Sequence, residues 1–377
     1  MAHTSGPARE AFGPRRLQDR NTSRKLKKMP PPRTNSPRLV DVAAHAGTST
    51  AVVSYVINDG PRGVAPATKA RVLAAIRDLG YSPNRAARAL RLGRTGQIGL
   101  IIPSTTAALF SELAAAVESA AFDRGVLTLT GNTEHDRDRE LDYAGSFLTA
   151  GVDGLVIASV GSTGVGGLAE AASVPVAYIN RRPSRSAGIL VDVDNQAGAT
   201  AAVRHLLDHG LDTIVCVSGL KPVGPVRLRE KGWRSAIEAA GIDPVTQHVF
   251  RTEYRRNMVH EVMASWLRKE RPGPVGVFAT TDEQAIGVLA AAAREGLRSP
   301  HDLRIVSFDG TTAAAYMTPS LTTVAMPIEE MAATAVTSIV EDTGSQEPGR
   351  RRFETHLRTG ASCGCEPSPL PSTPSPR

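Results

Sequence analysis

Aromatic residues make up 4% of this 377-residue sequence and cysteine occurs only three times. No apolar run approaches the ~18 residues of a membrane span, and the first thirty residues are basic without the apolar stretch of a secretory signal. These absences exclude a disulfide-stapled secreted scaffold and a membrane-spanning chain, and they favour the cytosol. Cys216 lies in an apparent strand, and Cys363-Gly-Cys365 stands near the end with no second Cys or His pair at zinc-like spacing in the sequence. Reduced thiols and no metal site are therefore expected. Catalytic signatures are also missing. No strand is followed by GxGxxG, GSTGVG (161–166) lacks the Lys-Ser/Thr of a phosphate loop, and neither GxSxG nor HExxH occurs. His205, His209, His248, His260 and His356 are scattered along the chain. With no nucleophile–base pair in view, neither an enzyme nor a bound cofactor is expected.

What is present is an uneven charge. Residues 1–95 hold 18 Lys and Arg against 5 Asp and Glu, a net of +13, whereas the remainder carries −6. A basic head on a mildly acidic body suits a polyanion docking at the head.

Residues 1–37 are rich in Arg, Lys, Pro and Ser, without helical or strand period, and read as a disordered basic tail. Translation could start at Met1 or at Met29. Residues 38–83 read as helices only: Leu39–Ala46, Ser49–Asn58 and Pro66–Leu79. A fourth helical stretch, NRAARALRLG, and the residues after it make a hinge helix and linker over 84–96. From Gln97 short apolar strands alternate with helices, from IGLIIP (98–103) to LRIVSFDG (303–310). Apolar strands with crossover helices indicate parallel, doubly wound sheets, and eight or more over roughly 260 residues suit two α/β subdomains. The first would span about 97–194 and 323–343, the second about 195–322 and 344–362. Residues 363–377 read as a disordered tail.

The stretch DVAAHAGTSTAVVSYVIN (41–58) sets two helices of about two turns around Ala46-Gly47-Thr48-Ser49. Gly47 supplies a left-handed turn and Ser49 caps the second helix. Val53, Val56 and Ile57 form an inward stripe, matched by Leu73, Ile76 and Leu79 on the third helix. The opposite face carries Thr50, Ala51, Ser54 and Tyr55, small or polar groups that a major groove accepts. In NRAARALRLGR, Asn84, Arg85 and Arg88 lie beside an alanine edge ending in Leu90. Such an edge permits close approach of an identical helix, and a leucine there can wedge between base pairs.

The run from LVDVAAHAGTSTAVVSYVIN through YSPNRAARALRLGRTGQIGLIIPS resembles the head and hinge of the lactose-repressor (LacI/GalR) family. DNQAGATAAVRHLLDHG, VRLREKGW, TTDEQAIG, VSFDG, PSLTTV and LRTGAS extend the similarity to about Ser362. The resemblance implies a ligand-responsive, sequence-specific transcription regulator, a repressor acting as a homodimer on a near-palindromic DNA operator. It also implies a helix-turn-helix head and hinge followed by two periplasmic-binding-protein-like lobes. Its base contacts fall on Thr50, Ala51 and Ser54 with Tyr55 beside them, its hinge on Asn84–Leu90, and its effector residues on Arg229 and Asp309. The sequence departs from the family by placing Val52 and Tyr55 where Thr and Arg are frequent, and Thr281 where Asn is common. Operator and ligand therefore cannot be borrowed from relatives.

Open α/β sheets bind ligands beyond the carboxyl ends of their strands. Asp309 closes IVSFD, Thr281 and Asp282 follow VGVFAT, and Arg229 lies in the helix after TIVCVSG. Tyr254 offers a ring to stack on an effector, and Ser104 with Arg181 or Arg182 are candidates by position. A carboxylate and a guanidinium together suit vicinal hydroxyls, so a sugar or sugar derivative is the expected effector. A transport binding protein would need an export signal and no basic head. A sugar-modifying enzyme with a basic appendage would have to show turnover.

Overall fold

The computed structural model describes residues 37–58, 63–82, 89, 93–158, 164–184, 186–221, 223–270, 273–341 and 349–369. They form two compact units, divided after Asn84. The expected hinge residues Asn84, Arg85, Arg88 and Leu90, and both tails except residues 37 and 363–369, lie outside the described residues.

The first unit is a helical head of α1 (Leu39–His45), α2 (Thr50–Asn58) and α3 (Pro66–Leu79). Asp41 caps α1, its carboxylate accepting from the Arg38 amide at 2.7 Å. Gly47 takes φ +59°, where a side chain would be strained, and so lets the chain reverse in a few residues. The Ser49 hydroxyl then accepts from the Val52 amide at 3.3 Å, capping α2. Helices this short need tertiary packing to persist. It comes from Val42, Ala43, Ala46, Val53, Val56, Val72 and Ala75, all buried, with Ile57, Ile76 and Leu79 at the margin. Leu73, expected inside, is instead 39% exposed, because α3 turns Val72 and Ala75 inward. Arg71 ties α3 to the end of α1 through the Ala46 carbonyl at 3.3 Å.

The second unit holds two six-stranded sheets. In the first, β1 (Gln97–Ile102), β2 (Leu127–Asn132), β3 (Leu155–Ile157), β4 (Val176–Ile179), β5 (Ile189–Val193) and β11 (Arg350–Phe353) run in the order β11-β5-β4-β3-β1-β2, all parallel. In the second, β6 (Ile214–Gly219), β7 (Val249–Thr252), β8 (Val275–Ala279), β9 (Leu303–Asp309), β10 (Thr322–Ala325) and β12 (His356–Arg358) take the order β12-β10-β9-β8-β6-β7. Only β12 is antiparallel to its neighbour. The inner strands are mostly buried because crossover helices cover both faces. These are α4 (Ala108–Phe122), α5 (Arg137–Thr149) and α6 (Gly164–Ala171) on the first lobe. The second has α7 (Asn195–Asp208), α8 (Gly224–Ala239), α9 (Arg256–Glu270), α10 (Asp282–Arg294) and the short α11 (Thr312–Ala315). Helix α12 (Ile328–Val340) returns to the first lobe and packs on α4 and β4.

The lobe boundaries differ from the expected ones at the last crossing. β10 remains in the second sheet, and β11 pairs in parallel with β5, so the chain crosses back only between Phe353 and His356 rather than near residue 343. Arg350, reaching the buried Asp192 beside it, anchors this edge strand. No helix among the described residues is long and apolar enough to cross a membrane.

Candidate functional site

On the head, α2 turns Val53 and Val56 inward and leaves Thr50 and Ala51 exposed, with Ser54 and Tyr55 half-buried. These four residues share one face at helical spacing. Asn58 donates from Nδ2 to the Ser54 carbonyl at 2.9 Å and to its hydroxyl at 3.3 Å, steadying the end of that face.

In the second unit, the carboxyl ends of both sheets open onto one cavity of about 490 Å³. The second lobe supplies Arg229 from α8, Asp309 from the end of β9, Thr281 after β8 and Tyr254 after β7. The first supplies Phe110 from α4, His135 after β2, and Asn180 and Arg181 after β4. At its base Arg229 and Asp309 form a buried ion pair, 2% and 3% exposed, with Nη1 to Oδ1 at 2.7 Å. Arg229 also donates from Nε to Asn195 Oδ1 at 2.8 Å and from Nη1 to the Thr280 carbonyl at 2.7 Å. Its guanidinium carbon lies 3.7 Å from the centre of the Phe308 ring. Among the described residues, the outer nitrogen Nη2 meets only the Met326 thioether, at 3.7 Å, and Asp309 Oδ2 receives only a long 3.4 Å contact from the Asp282 amide. One donor and one acceptor are thus left with capacity for a ligand. Burial pushes the Asp309 carboxyl up to about 7, against the pull of Arg229 and with a further push from Asp282. Asp309 also holds φ +119°, a strained conformation of the kind found where geometry serves a site.

The two lobes meet around this cavity. His135 and Tyr254 stack with ring centres 6.4 Å apart, and burial, helped by Arg255, lowers the His135 pKa, favouring neutral imidazole. Glu283 of α10 accepts from the Ala108 amide at 3.2 Å, and Glu112 of α4 accepts from the Thr312 amide at 2.8 Å.

Of the expected effector residues, Arg229, Asp309, Thr281, Tyr254 and Arg181 line the cavity. Asp282 and Ser104 do not. Asp282 is buried beneath it, its carboxylate accepting from Ser307 Oγ at 2.5 Å, Thr323 Oγ1 at 2.7 Å, and the Thr311 amide and hydroxyl at 2.7 and 2.8 Å. Its two oxygens are fully engaged in joining β9, β10 and α11. The Ser104 hydroxyl caps its own loop, accepting from the Thr106 and Ala107 amides at 3.2 and 3.1 Å. Arg182 braces β5 and β11 through the Gly188 and Gly349 carbonyls at 2.7 and 3.1 Å. Asn180 was missed by sequence reasoning. It takes φ +64°, and its buried Oδ1 has no partner among the described residues. A non-glycine residue just past a strand end is weak as a sequence signal.

All three cysteines are free thiols, but the reading that no histidine pair stands at zinc-like spacing needs correction. Cys363 and Cys365 meet His205 and His209, contributed from more than 150 positions earlier, and the four ligand atoms lie within 4.8 Å of one another. His205 and His209 stand at H-x3-H spacing at the end of α7, and the fold brings the two cysteines to them.

Residues 38–84 match the family described as bacterial regulatory proteins, lacI family, and residues 203–363 match a periplasmic binding protein-like domain. The ribose operon repressor of Escherichia coli (strain K12) is 32% identical over 302 residues, covering 80% of this chain and 91% of that protein. A solved complex of the transcriptional regulator CelR with cellobiose is 28% identical, with a TM-score of 0.61, covering 86% of this chain and 99% of that one. The lac repressor dimer bound to operator and the anti-inducer ONPF shares the fold, with 24% identity and a TM-score of 0.75 over 87% of this chain and 99% of that one.

Proposed function

The chain belongs to the lacI family of bacterial regulatory proteins, and from that premise we propose that it is a transcriptional repressor whose hold on operator DNA is set by a small polyhydroxylated ligand in the cleft. Residues 38–83 form the reader. Thr50, Ala51, Ser54 and Tyr55 face the major groove, where small and polar groups can reach base edges. Residues 84–96 act as a hinge, with Asn84, Arg85 and Arg88 on phosphates and Leu90 as the minor-groove wedge. Two chains pair through their two-lobed bodies, so that two heads meet the halves of a near-palindromic operator.

The observation that carries the ligand class is the Arg229–Asp309 pair at the cavity floor, with spare hydrogen-bonding capacity on each partner. Adjacent donor and acceptor suit vicinal hydroxyls. Phe110 and Tyr254 offer ring faces for the C–H surface of a sugar, and Thr281 and Asn180 add polar edges. The CelR complex with cellobiose and the ribose operon repressor point to the same class.

Selection of genomic DNA fragments by the purified full-length protein, followed by sequencing, tests this reading. Enrichment of one near-palindromic sequence, released or tightened by a sugar from a panel, supports it. Fragments without a common sequence would contradict it, and turnover of a sugar would favour an enzyme.

A further inference from the structure

Helix α7 ends at Asp208, and His205 and His209, four positions apart, project from the same side of its last turn. Opposite them the chain after β12 makes a short turn over Ala361–Cys363, and Gly364 follows at φ +94°. That left-handed glycine aims the sulfurs on either side of it at the same point. His205 Nε2 lies 3.4 Å from His209 Nε2, 3.2 Å from Cys363 Sγ and 3.6 Å from Cys365 Sγ, and His209 Nε2 lies 3.4 Å from Cys365 Sγ. In a tetrahedron with Zn–S of about 2.3 Å and Zn–N of about 2.05 Å, the edges are about 3.4 Å between nitrogens and about 3.6 Å between nitrogen and sulfur. The four measured separations fall within a few tenths of an ångström of those edges.

We propose that His205, His209, Cys363 and Cys365 form a closed tetrahedral site for a zinc ion that fastens the C-terminal segment to α7. Two thiolates and two imidazoles suit Zn²⁺ and are poor ligands for Mg²⁺ or Ca²⁺. Four protein ligands leave no open position, so the site is structural rather than catalytic. On binding, the two thiols release their protons to solvent and the centre becomes neutral. Thr322 Oγ1 donates to Cys363 Sγ at 2.9 Å, the kind of outer hydrogen bond that orients a ligating sulfur. Three of the ligands are only half-buried, which leaves the ion a way in. The segment it holds is already stitched to the second sheet, since the Ser362 hydroxyl donates to the Ile305 carbonyl at 2.6 Å and accepts from the Thr322 amide at 2.9 Å. The ion adds the link to α7.

The test uses full-length protein purified under reducing conditions, loaded with zinc, freed of excess and assayed for metal. A parallel sample is loaded with Co²⁺ for its visible spectrum. The expected results are one ion per chain, a tetrahedral cobalt spectrum with a thiolate charge-transfer band, and a melting temperature that chelator lowers. The variants His209→Asn and Cys365→Ser, both at half-buried positions, should keep the native circular dichroism, lose the ion and melt at a temperature unaffected by chelator. Absence of retained metal, retention by the combined double variant, or an octahedral cobalt spectrum without the thiolate band would each overturn the proposal.

Discussion

Replacing Asp309 with Asn separates the charge at the cleft floor from its shape. The amide is nearly isosteric, and its Oδ1 can still accept from Arg229 Nη1 at the present 2.7 Å. Arg229 also keeps Asn195, the Thr280 carbonyl and the Phe308 ring. The buried guanidinium therefore loses its counter-charge but not its hydrogen-bond partners, and the stability loss should fall below the roughly 3–5 kcal/mol of breaking a buried pair outright. The ligand loses a hydrogen bond to a charged acceptor, which contributes about 1.5–3 kcal/mol, so its affinity should fall roughly 10- to 150-fold. The pH dependence should change as well. Asp309 titrates near 7 in the folded chain against 3.8 for the free side chain. Between those values the folded state holds the proton more firmly than the unfolded state. Its contribution to stability is therefore full below 3.8 and is lost as pH rises toward 7. The Asn variant lacks this slope. Calorimetric titration with the sugar that moves operator affinity, with melts across that pH range, measures each quantity. Wild-type ligand affinity in the variant, or loss of unliganded operator binding, would refute the assignment.

Three further perturbations probe other parts of the molecule. Asp282→Ala should strip the acceptor from Ser307, Thr311 and Thr323, costing about 1–3 kcal/mol for each buried donor left unsatisfied; chemical denaturation should show a global loss of stability in the body, and an altered ligand affinity at unchanged stability would contradict this role. Gly47→Val should force a side chain into the left-handed region at about 1–2 kcal/mol, so the head should melt earlier while the body's transition stays put. Joint replacement of Thr50 and Ser54 by Ala should weaken selected-operator binding by about 1–3 kcal/mol and leave binding to random duplex nearly unchanged in an anisotropy titration.

The parts of the molecule legible in the sequence are those set by local pattern. Gly47 and Ser49 mark the turn between two short helices because their chemistry is particular to the positions, and Val53 and Val56 show the buried face through spacing alone. Strand and helix alternation beyond Gln97 carries the doubly wound body. Arg229 and Asp309 are visible as charges at strand ends, but only the fold brings them to 2.7 Å. Misses occur where local pattern is degenerate or the partner is distant. Val72 and Leu73 are adjacent apolar residues, so the period alone cannot say which faces inward. Asp282 looks like Asp309 in sequence, yet three hydroxyl side chains from other segments absorb it. Arg350–Phe353 lacks an apolar run, since an edge strand leaves its arginines exposed. His205 and His209 share an H-x3-H spacing, but only tertiary packing brings Cys363 and Cys365 from the end of the chain to them.

Under the proposed function, the cleft and the reading head share one free-energy balance. Operator affinity of the full-length protein, titrated by fluorescence anisotropy at fixed salt with and without saturating sugar, tests it most directly. A shift of roughly 5- to 150-fold, mirrored by an equal shift in sugar affinity when operator is present, is the predicted result. Operator affinity that stays constant while the cleft fills with sugar would contradict the account.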